Sequence, residues 1–371
     1  MKTFIFFVHF ETNKGGVPQS VISILKGVSA NPNFRLILVC PRNSEISHEF
    51  YQDKVTIVTS SSTTWPISKT SIFQAFTVAL DIYKKIKQYI SKDTFFISNE
   101  STDSFMISLL PVLNIKEIYV NRGGNFKGPG FGNLFMRNKI RLKRVYKAVA
   151  TSSQQKKVLI KNGQPESSIT IIHNGLELPQ IQYSIKRLES DRLQISTMGF
   201  ISDLKNQIEG VRLIKMLRDK GVNAILNIYG EPDSDKAYQL KLKYCIRDLG
   251  LDNFVFYRGF VKGEELFSET DILISFSRSE GFGRSLVEGM LRKKPVIAYR
   301  GAGGPVDITN DGEFGYLVTE NKAEDYYKVV LLLLNNPDCY SRNIQKSYQF
   351  ALDNFTQSVM VSKYSSLFEN L

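Results

Sequence analysis

Cysteine is scarce in this sequence, with only Cys40, Cys245 and Cys339 in 371 residues, far apart and without Cys-x-x-Cys spacing. That excludes a disulfide framework and a cysteine-ligated zinc site, fits a reducing compartment, and makes each thiol a small buried hydrophobe. Histidine is equally rare: His9, His48 and His173 do not cluster, so no metal centre is expected. No stretch approaches the ~20 consecutive apolar residues of a spanning helix. The apolar start, Met1 to Phe10, is short, lacks a small-residue cleavage site and reads as a first strand rather than a signal peptide. Ser279 and Ser285 have no histidine and acid at triad-like spacing, so nucleophilic serine chemistry is unsupported. Repeats and low-complexity tracts are also missing, and the protein reads as cytoplasmic.

Acidic residues are absent from one long segment. Between Asn121 and Pro165 stand Arg122, Lys127, Arg137, Lys139, Arg141, Lys143, Arg144, Lys147, Lys156, Lys157 and Lys161 with no Asp or Glu among them, in a chain whose net charge is +12. Almost the whole excess therefore sits here, and it bears on what binds there rather than on the fold. A helix over 133–147 is expected, with Leu134, Phe135, Leu142, Val145, Tyr146 and Val149 on one side of a wheel carried to residue 149. Arg137, Lys139, Arg141, Lys143, Arg144 and Lys147 occupy the other side, with Met136 and Ile140 among them. Three readings stay open: a solvated face, a contact for anionic lipid headgroups, or a site for a phosphate-bearing acceptor. No nucleic-acid motif accompanies the charge, so nucleic acid is not expected as a partner.

What is present is the composition of a globular protein, with 42% hydrophobic and 23% charged residues, at a length that asks for two domains. Short Val/Ile/Phe-rich runs alternate with helical segments. Thr3–Val8, Arg35–Cys40, Lys54–Val58, Thr94–Ser98, Glu117–Val120 and Ala148–Thr151 read as buried parallel strands, with helices near Val17–Ser29 and Ser71–Ile90. The pattern restarts with Gln194–Met198, Ala224–Tyr229, Asn253–Phe256, Asp271–Ser275, Pro295–Tyr299 and Gly315–Val318, separated by helices near Gln207–Lys220, Lys236–Leu249 and Ser285–Arg292. The polar, aperiodic stretch from Glu177 to Asp191 is the expected linker. Two doubly wound α/β domains follow, 1–182 plus 355–371 and 183–354, facing across a cleft at their strand carboxyl ends. A final amphipathic segment from Phe355 to Leu371 closes the chain.

The chemistry concentrates between Ser275 and Val318. Ser279-Glu280-Gly281-Phe282-Gly283 is followed by Glu288, then by Gly301-Ala302-Gly303-Gly304-Pro305 and by Asp311-Gly312-Glu313-Phe314-Gly315-Tyr316-Leu317-Val318. A strand ending in a glycine-rich turn from which a helix opens near Gly283 or Arg284 presents unsatisfied N–H groups to an anionic or hydroxyl-rich ligand. Glycines 281 and 283 let backbone approach that ligand closely. Glu280 before the helix and Glu288 about two turns on can accept hydrogen bonds from hydroxyls at two ends of one elongated molecule. The plainer alternative for this pair is a solvated helix start. Lys205 before a helix is commonplace in itself, His9 can equally be structural, and Asp233-Ser234-Asp235 fits capping better than metal binding.

This window resembles the donor-site signature of the retaining glycosyltransferases of family 4, within the glycosyl transferases group 1, in which two glutamates are separated by seven residues in a glycine-rich turn and helix. Weaker points lie in register. Gly15-Gly16-Val17 is similar to the family's N-terminal glycine loop, Asn174-Gly175 to the end of its first domain, and Tyr229-Gly230 and Arg258-Gly259-Phe260-Val261 to its base-contacting strand ends. Phe355 to Leu371 is similar to its terminal helix, which returns to the first domain. The resemblance implies a GT-B fold and a nucleotide-sugar co-substrate, by default a UDP-sugar, with no cofactor or metal required. It implies that Glu280 holds the donor sugar, Glu288 the ribose hydroxyls and Lys205 the leaving diphosphate, with Gly199, Gly281, Phe282, Gly283, Arg284, Phe260 and Val261 around them. Two departures matter. Phe200 stands where the family usually has arginine, leaving Arg284 or Arg122 as substitutes, and Asn121-Arg122-Gly123-Gly124 stands where the family has its histidine. His9 and Arg122 are the candidates on the acceptor or phosphate side. The implied activity is sugar transfer with retention to a hydroxyl of a glycan or lipid-linked acceptor, in cell-surface polysaccharide synthesis at the inner membrane face. A non-catalytic partner subunit that keeps the fold, or a sugar-nucleotide epimerase, are the alternatives.

Overall fold

The computed structural model describes residues 1–12, 16–50, 54–65, 72–123, 131–232, 236–261 and 264–371. The chain divides into two compact units, Met1–Gly175 with Gln357–Leu371, and Leu176–Thr356.

In the first unit, strands β1 (Lys2–Phe7), β2 (Phe34–Cys40), β3 (Val55–Thr59), β4 (Thr94–Ser98), β5 (Glu117–Asn121), β6 (Lys147–Ala150) and β7 (Ile169–Ile171) form one parallel sheet in the order β3-β2-β1-β4-β5-β6-β7. The central strands are apolar on both faces because helices cover both. One face packs α1 (Gly16–Val28) and the last helix, α13 (Gln357–Glu369), where Phe368 stacks on Phe4 with centroids 4.1 Å apart. The other packs α2 (Ile72–Ile86) and α3 (Ser101–Ser108). The terminal segment is thus part of the first unit's core.

The second unit repeats the scheme with β8 (Leu193–Met198), β9 (Ala224–Tyr229), β10 (Val255–Gly259), β11 (Ile272–Ser275), β12 (Val296–Tyr299) and β13 (Tyr316–Val318), in the order β10-β9-β8-β11-β12-β13 and all parallel. Its helices α6 (Gln207–Asp219), α7 (Lys236–Asp248) and α11 (Ala323–Asn335) cover one face; α9 (Arg284–Leu291) and α12 (Pro337–Phe355) pack on the other. Both sheets are doubly wound, with strand order reversing between β1 and β4 and between β8 and β11, the points at which such sheets place ligands.

Three expectations are corrected. The unit boundary falls at 175/176 and 356/357, not at 182/183 and 354/355, because Leu176 bridges Thr356 and its N–H bonds Phe355 O at 2.9 Å. The strand expected over 253–256 runs Val255–Gly259, and the alternating pattern also includes helices α3, α5 (Ser153–Lys161), α11 and α12, which the sequence reading did not single out.

The third correction concerns the basic helix. α4 spans only Phe131–Arg141; Lys143 then takes a left-handed φ of 54°, Arg144 N bonds Lys139 O at 3.1 Å and Lys143 N bonds Ile140 O at 2.9 Å, a Schellman-type stop. The helix is also rotated from the expected wheel. Met136, Lys139 and Ile140 face inward, while Leu134, Leu142 and Tyr146 are exposed, Leu142 at 63%. A buried carboxylate turns it. Glu117 on β5 is fully inaccessible and pairs with Lys139, which is only 7% exposed, while Ser98 Oγ donates to the same carboxylate at 2.6 Å. Lys139 therefore leaves the set of possible membrane contacts.

Candidate functional site

The switch point of the second unit gathers the residues singled out by the motif. After β8, Gly199 takes φ +134° and its N–H bonds Tyr229 O at 2.9 Å, while Lys205 crosses directly over it, so that a Cβ on Gly199 would lie 2.9 Å from Lys205 Cε. A side chain on Gly230 would strike the Gly199 carbonyl, which fixes glycine at both strand ends. The turn closes with Lys205 N and Asn206 N on Ser202 O at 3.0 and 3.1 Å, and Asn206, at φ 54°, opens α6.

Lys205 Nζ pairs with the Glu280 carboxylate, whose Oε1 also accepts Ser277 Oγ at 2.8 Å. Backbone anchors Glu280 at both ends: its N–H bonds Ala302 O at 2.8 Å and its carbonyl accepts Gly304 N at 3.1 Å. The two glycine-rich loops of the sequence are therefore one interlocked piece, and a Cβ on Gly304 would run into Phe282 O. Gly283, at φ +106°, is the N-cap from which α9 opens its first amides. Phe282 contributes backbone only, since its ring is buried edge-on against Phe355 with centroids 5.7 Å apart.

Glu288 sits half-buried on α9, one turn after Arg284. Burial pushes its pKa up, against the pull of the Arg284 and Arg292 guanidinium charges. Burial likewise lowers the Arg284 pKa, opposed by Glu288 and Glu177. Phe260 and Val261 follow β10, the first exposed and the second half-buried, and Phe200 is 58% exposed. The sequence reading missed Ser277 and Arg278, which braces the Lys205 turn through Asn206 Oδ1 at 2.9 Å and Leu204 O at 2.8 Å. It also missed two buried atoms of that turn, Asn206 Nδ2 and Gln207 Oε1, that have no hydrogen-bond partner among the described residues. Polar residues between two glycine motifs were the available signal, but neither spacing nor period singles them out.

The first unit has its own polar cluster at its switch point. His9, after β1, is held twice by Asp103 Oδ1, through its backbone N–H at 3.0 Å and its ring Nδ1 at 2.8 Å. Burial acts to lower the His9 pKa, but the Asp103 carboxylate with Glu100 beyond it raises it overall. Burial pushes Glu100 up, with His9 and Arg122 opposing. Arg122, after β5, donates to Asn99 Oδ1 at 3.0 and 3.1 Å and to Asn174 Oδ1 at 2.9 Å, tying three strand ends together. His9 and Arg122, the two candidates from the sequence, share one cluster here through Asn99, Glu100 and Asp103. Gly16 opens α1, whereas Gly15 and Asp233-Ser234-Asp235 lie outside the described residues. Among the described residues no group of three or more His, Cys, Asp or Glu side chains is arranged to hold a metal ion, and no helix is long and apolar enough to cross a membrane.

Two doubly wound parallel sheets, one in each unit, are the architecture of a GT-B fold. Residues 181–350 match the model of the family described as glycosyl transferases group 1. Across its full length the chain is 23% identical to an uncharacterised glycosyltransferase of Methanocaldococcus jannaschii, 99% of which is covered. Over 68% of the chain it is 24% identical to the poly(ribitol-phosphate) alpha-N-acetylglucosaminyltransferase of Staphylococcus aureus, and it spans half that protein's length. Among solved structures, Anabaena HepE, crystallised with UDP and glucose, superposes with a TM-score of 0.78 at 16% identity, with all of both chains covered. A Rickettsia africae glycosyltransferase reaches 0.80 at 20% identity, covering all of this chain and 98% of the other.

Proposed function

We propose that this protein is a retaining, metal-independent glycosyltransferase that moves a sugar from a UDP-sugar to a hydroxyl of a glycan or lipid-linked acceptor in cell-surface polysaccharide synthesis. The observation that carries the proposal is the Lys205–Glu280 pair at the β8/β11 switch point, with Glu288 further along the same motif. Such a pair presents adjacent negative and positive groups to a sugar and the phosphate attached to it. Glu280, oriented by Ser277 and two backbone bonds, accepts from donor sugar hydroxyls, and Glu288 accepts from the ribose. As the bond from the anomeric carbon to the diphosphate breaks, its electron pair leaves on the phosphate and the sugar gains oxocarbenium character. Lys205 and the α9 amides then stabilise the departing charge, with Arg284 as the second cation that Phe200 does not supply. The acceptor oxygen bonds to the same face of the sugar as its proton passes to the departing diphosphate oxygen. A preorganised cation of this kind is worth about 3–4 kcal/mol at the transition state.

The polyol-phosphate substrate in the name of the S. aureus relative and the basic first unit both favour an anionic or membrane-linked acceptor. For the membrane itself, the relevant surface is the α4–β6 turn, with exposed Arg141, Leu142, Lys143, Arg144 and Tyr146; Arg141 lies beside Gly163, which follows α5 and its exposed Ile160 and Lys161. Arg137 and Lys147 are half-buried and contribute less. Salt-sensitive co-sedimentation with anionic vesicles, absent with neutral ones, is the expected result; equal binding to both removes the membrane reading.

A thermal-shift screen of UDP, GDP, dTDP and CMP with their sugar conjugates, without added metal, tests the donor class. At 100 times its dissociation constant the right ligand stabilises by about 2.7 kcal/mol. Stabilisation confined to uridine nucleotides is expected. No shift with any of them, in folded protein, overturns the proposal in favour of a non-catalytic partner. Turnover of the sugar nucleotide without any acceptor points instead to an epimerase.

A further inference from the structure

Glu288 is the motif glutamate least supported by its own loop, and the turn of α9 that carries it is held from outside the motif. Arg292, one turn later and largely buried, donates from Nη1 to the backbone carbonyl of Glu288 at 3.2 Å, which fixes that turn rather than the carboxylate itself. Its Nε and Nη2 reach the two oxygens of Glu264 on α8 (Glu264–Ser268) at 3.2 and 3.5 Å, a fork matched to a carboxylate. The guanidinium lies 4.4 Å from the centre of the Phe267 ring, which fixes its plane. Glu264 is in turn held by the segment that leads into the second unit: Tyr183 Oη donates to Oε2, and Gln180 N donates to Oε1 at 3.3 Å. Lys294 Nζ stands 5.6 Å from the centre of the Tyr183 ring.

We infer that Tyr183, Glu264 and Arg292 form a latch that positions Glu288, so that Arg292 sets how tightly the protein grips the ribose of its nucleotide. The inference rests on the donor reading above. Three physical facts lead to it. A half-buried carboxylate needs nearby positive charge to stay ionised, and the cations acting on Glu288 are Arg284 before it and Arg292 after it. Arg284 divides its influence between Glu288 and Glu177, whereas Arg292 is clamped in one orientation by a bidentate partner and a ring. Glu264, caught between Arg292 and Tyr183, is itself held below the usual range: burial pushes it up, but the hydrogen bonds from Tyr183 and Arg292 outweigh that. Tyr183, Glu264 and Arg292 are therefore positioning residues; only Glu288 touches the ligand.

The test is calorimetric binding of UDP and of 2′,3′-dideoxy-UDP to the full chain and to Glu288→Gln, Arg292→Gln, Arg292→Lys and Tyr183→Phe. Wild type is expected to prefer UDP. Glu288→Gln and Arg292→Gln are expected to weaken UDP by about tenfold, the value of one hydrogen bond to a charged group. Both should leave dideoxy-UDP almost unchanged, so that the preference collapses. Arg292→Lys restores part of it, and Tyr183→Phe, which removes one hydroxyl from a surface segment, loses about threefold. Equal weakening of both nucleotides by Arg292→Gln means a general loosening of the unit and overturns the inference. Wild-type binding by Arg292→Gln and Tyr183→Phe, with Glu288→Gln impaired, also overturns it while leaving the donor reading intact. Unimpaired binding by Glu288→Gln sinks the donor reading and this inference together.

Discussion

Replacing Lys139 by methionine should destabilise the first unit far more than any other neutralisation in the basic segment. The lysine amine donates to Ser104 O at 3.0 Å, Ser104 Oγ at 2.9 Å and Ser108 Oγ at 2.6 Å, besides pairing with Glu117. Methionine keeps the apolar stem but leaves the fully buried Glu117 carboxylate with Ser98 Oγ at 2.6 Å as its remaining side-chain donor. Breaking a buried pair from one side costs about 3–5 kcal/mol, because the surviving charge is uncompensated. The single tryptophan, Trp65, is buried in the first unit with its Nε1 on Ser60 Oγ at 3.1 Å, so its fluorescence during urea unfolding reports that unit alone. The double variant Lys139→Met/Glu117→Gln removes both charges and should recover more than half of the loss. Arg141→Met and Lys143→Met, both at exposed positions, should shift the transition by less than about 0.5 kcal/mol. A Lys139→Met loss below about 1 kcal/mol, or a double variant no more stable than the single one, would mean that the Glu117 charge does not turn the lysine of α4 inward.

Two pH dependences and one substitution follow from the same structure. Because burial holds the Glu288 pKa above the ordinary 4.5, nucleotide binding should weaken as pH falls while free glutamate would still be ionised, and this acid limb should vanish in Glu288→Gln; calorimetry between pH 5 and 8 is the check. His9 is raised above 6.5 in the folded state, so its contribution to stability is complete below that value and is lost as pH rises through the folded pKa. Asp103→Asn should flatten this slope in urea titrations followed through Trp65. Gly304→Ala drives a Cβ into Phe282 O, so it should disrupt the loop under Glu280 and weaken nucleotide binding by more than tenfold; a well-folded Gly304→Ala protein that binds normally contradicts the interlocked loops.

The strand series was legible because buried parallel strands are short runs of Val, Ile, Leu and Phe, and β4 and β9 fall where those runs stand, at Thr94–Ser98 and Ala224–Tyr229. Glu280 and Glu288 were visible because Gly281 and Gly283, two glycines flanking one aromatic residue between a strand and a helix, mark backbone that must turn sharply and stay uncovered. Helical-wheel reasoning failed for α4 because it assigns a lysine to solvent, whereas a carboxylate buried on a strand more than 20 residues before it in sequence decides the rotation, and periodicity carries no record of such a partner. Ser277, Arg278 and Arg292 were invisible for a similar reason. Each acts through hydrogen bonds to residues brought near by the fold, and serine or arginine in a loop or at a helix end has no spacing that marks it. The helical period of the Phe355–Leu371 segment was legible, although Phe355 ends α12 and α13 begins only at Gln357, and its burial against Phe4 depends on the fold bringing the two ends of the chain together.

Retaining transfer from a UDP-sugar is tested most directly by incubating the protein and its Glu280→Ala variant with UDP-glucose, UDP-galactose and UDP-N-acetylglucosamine, in the presence of a chelator and cell-envelope acceptor material. UDP release and the anomeric configuration of the incorporated sugar, read by NMR, are the observables. Acceptor-dependent UDP release from one of these donors, incorporation with the donor's own anomeric configuration, and loss of both in Glu280→Ala are expected. Inverted configuration, a strict requirement for metal, or equal turnover by Glu280→Ala would contradict the proposed function.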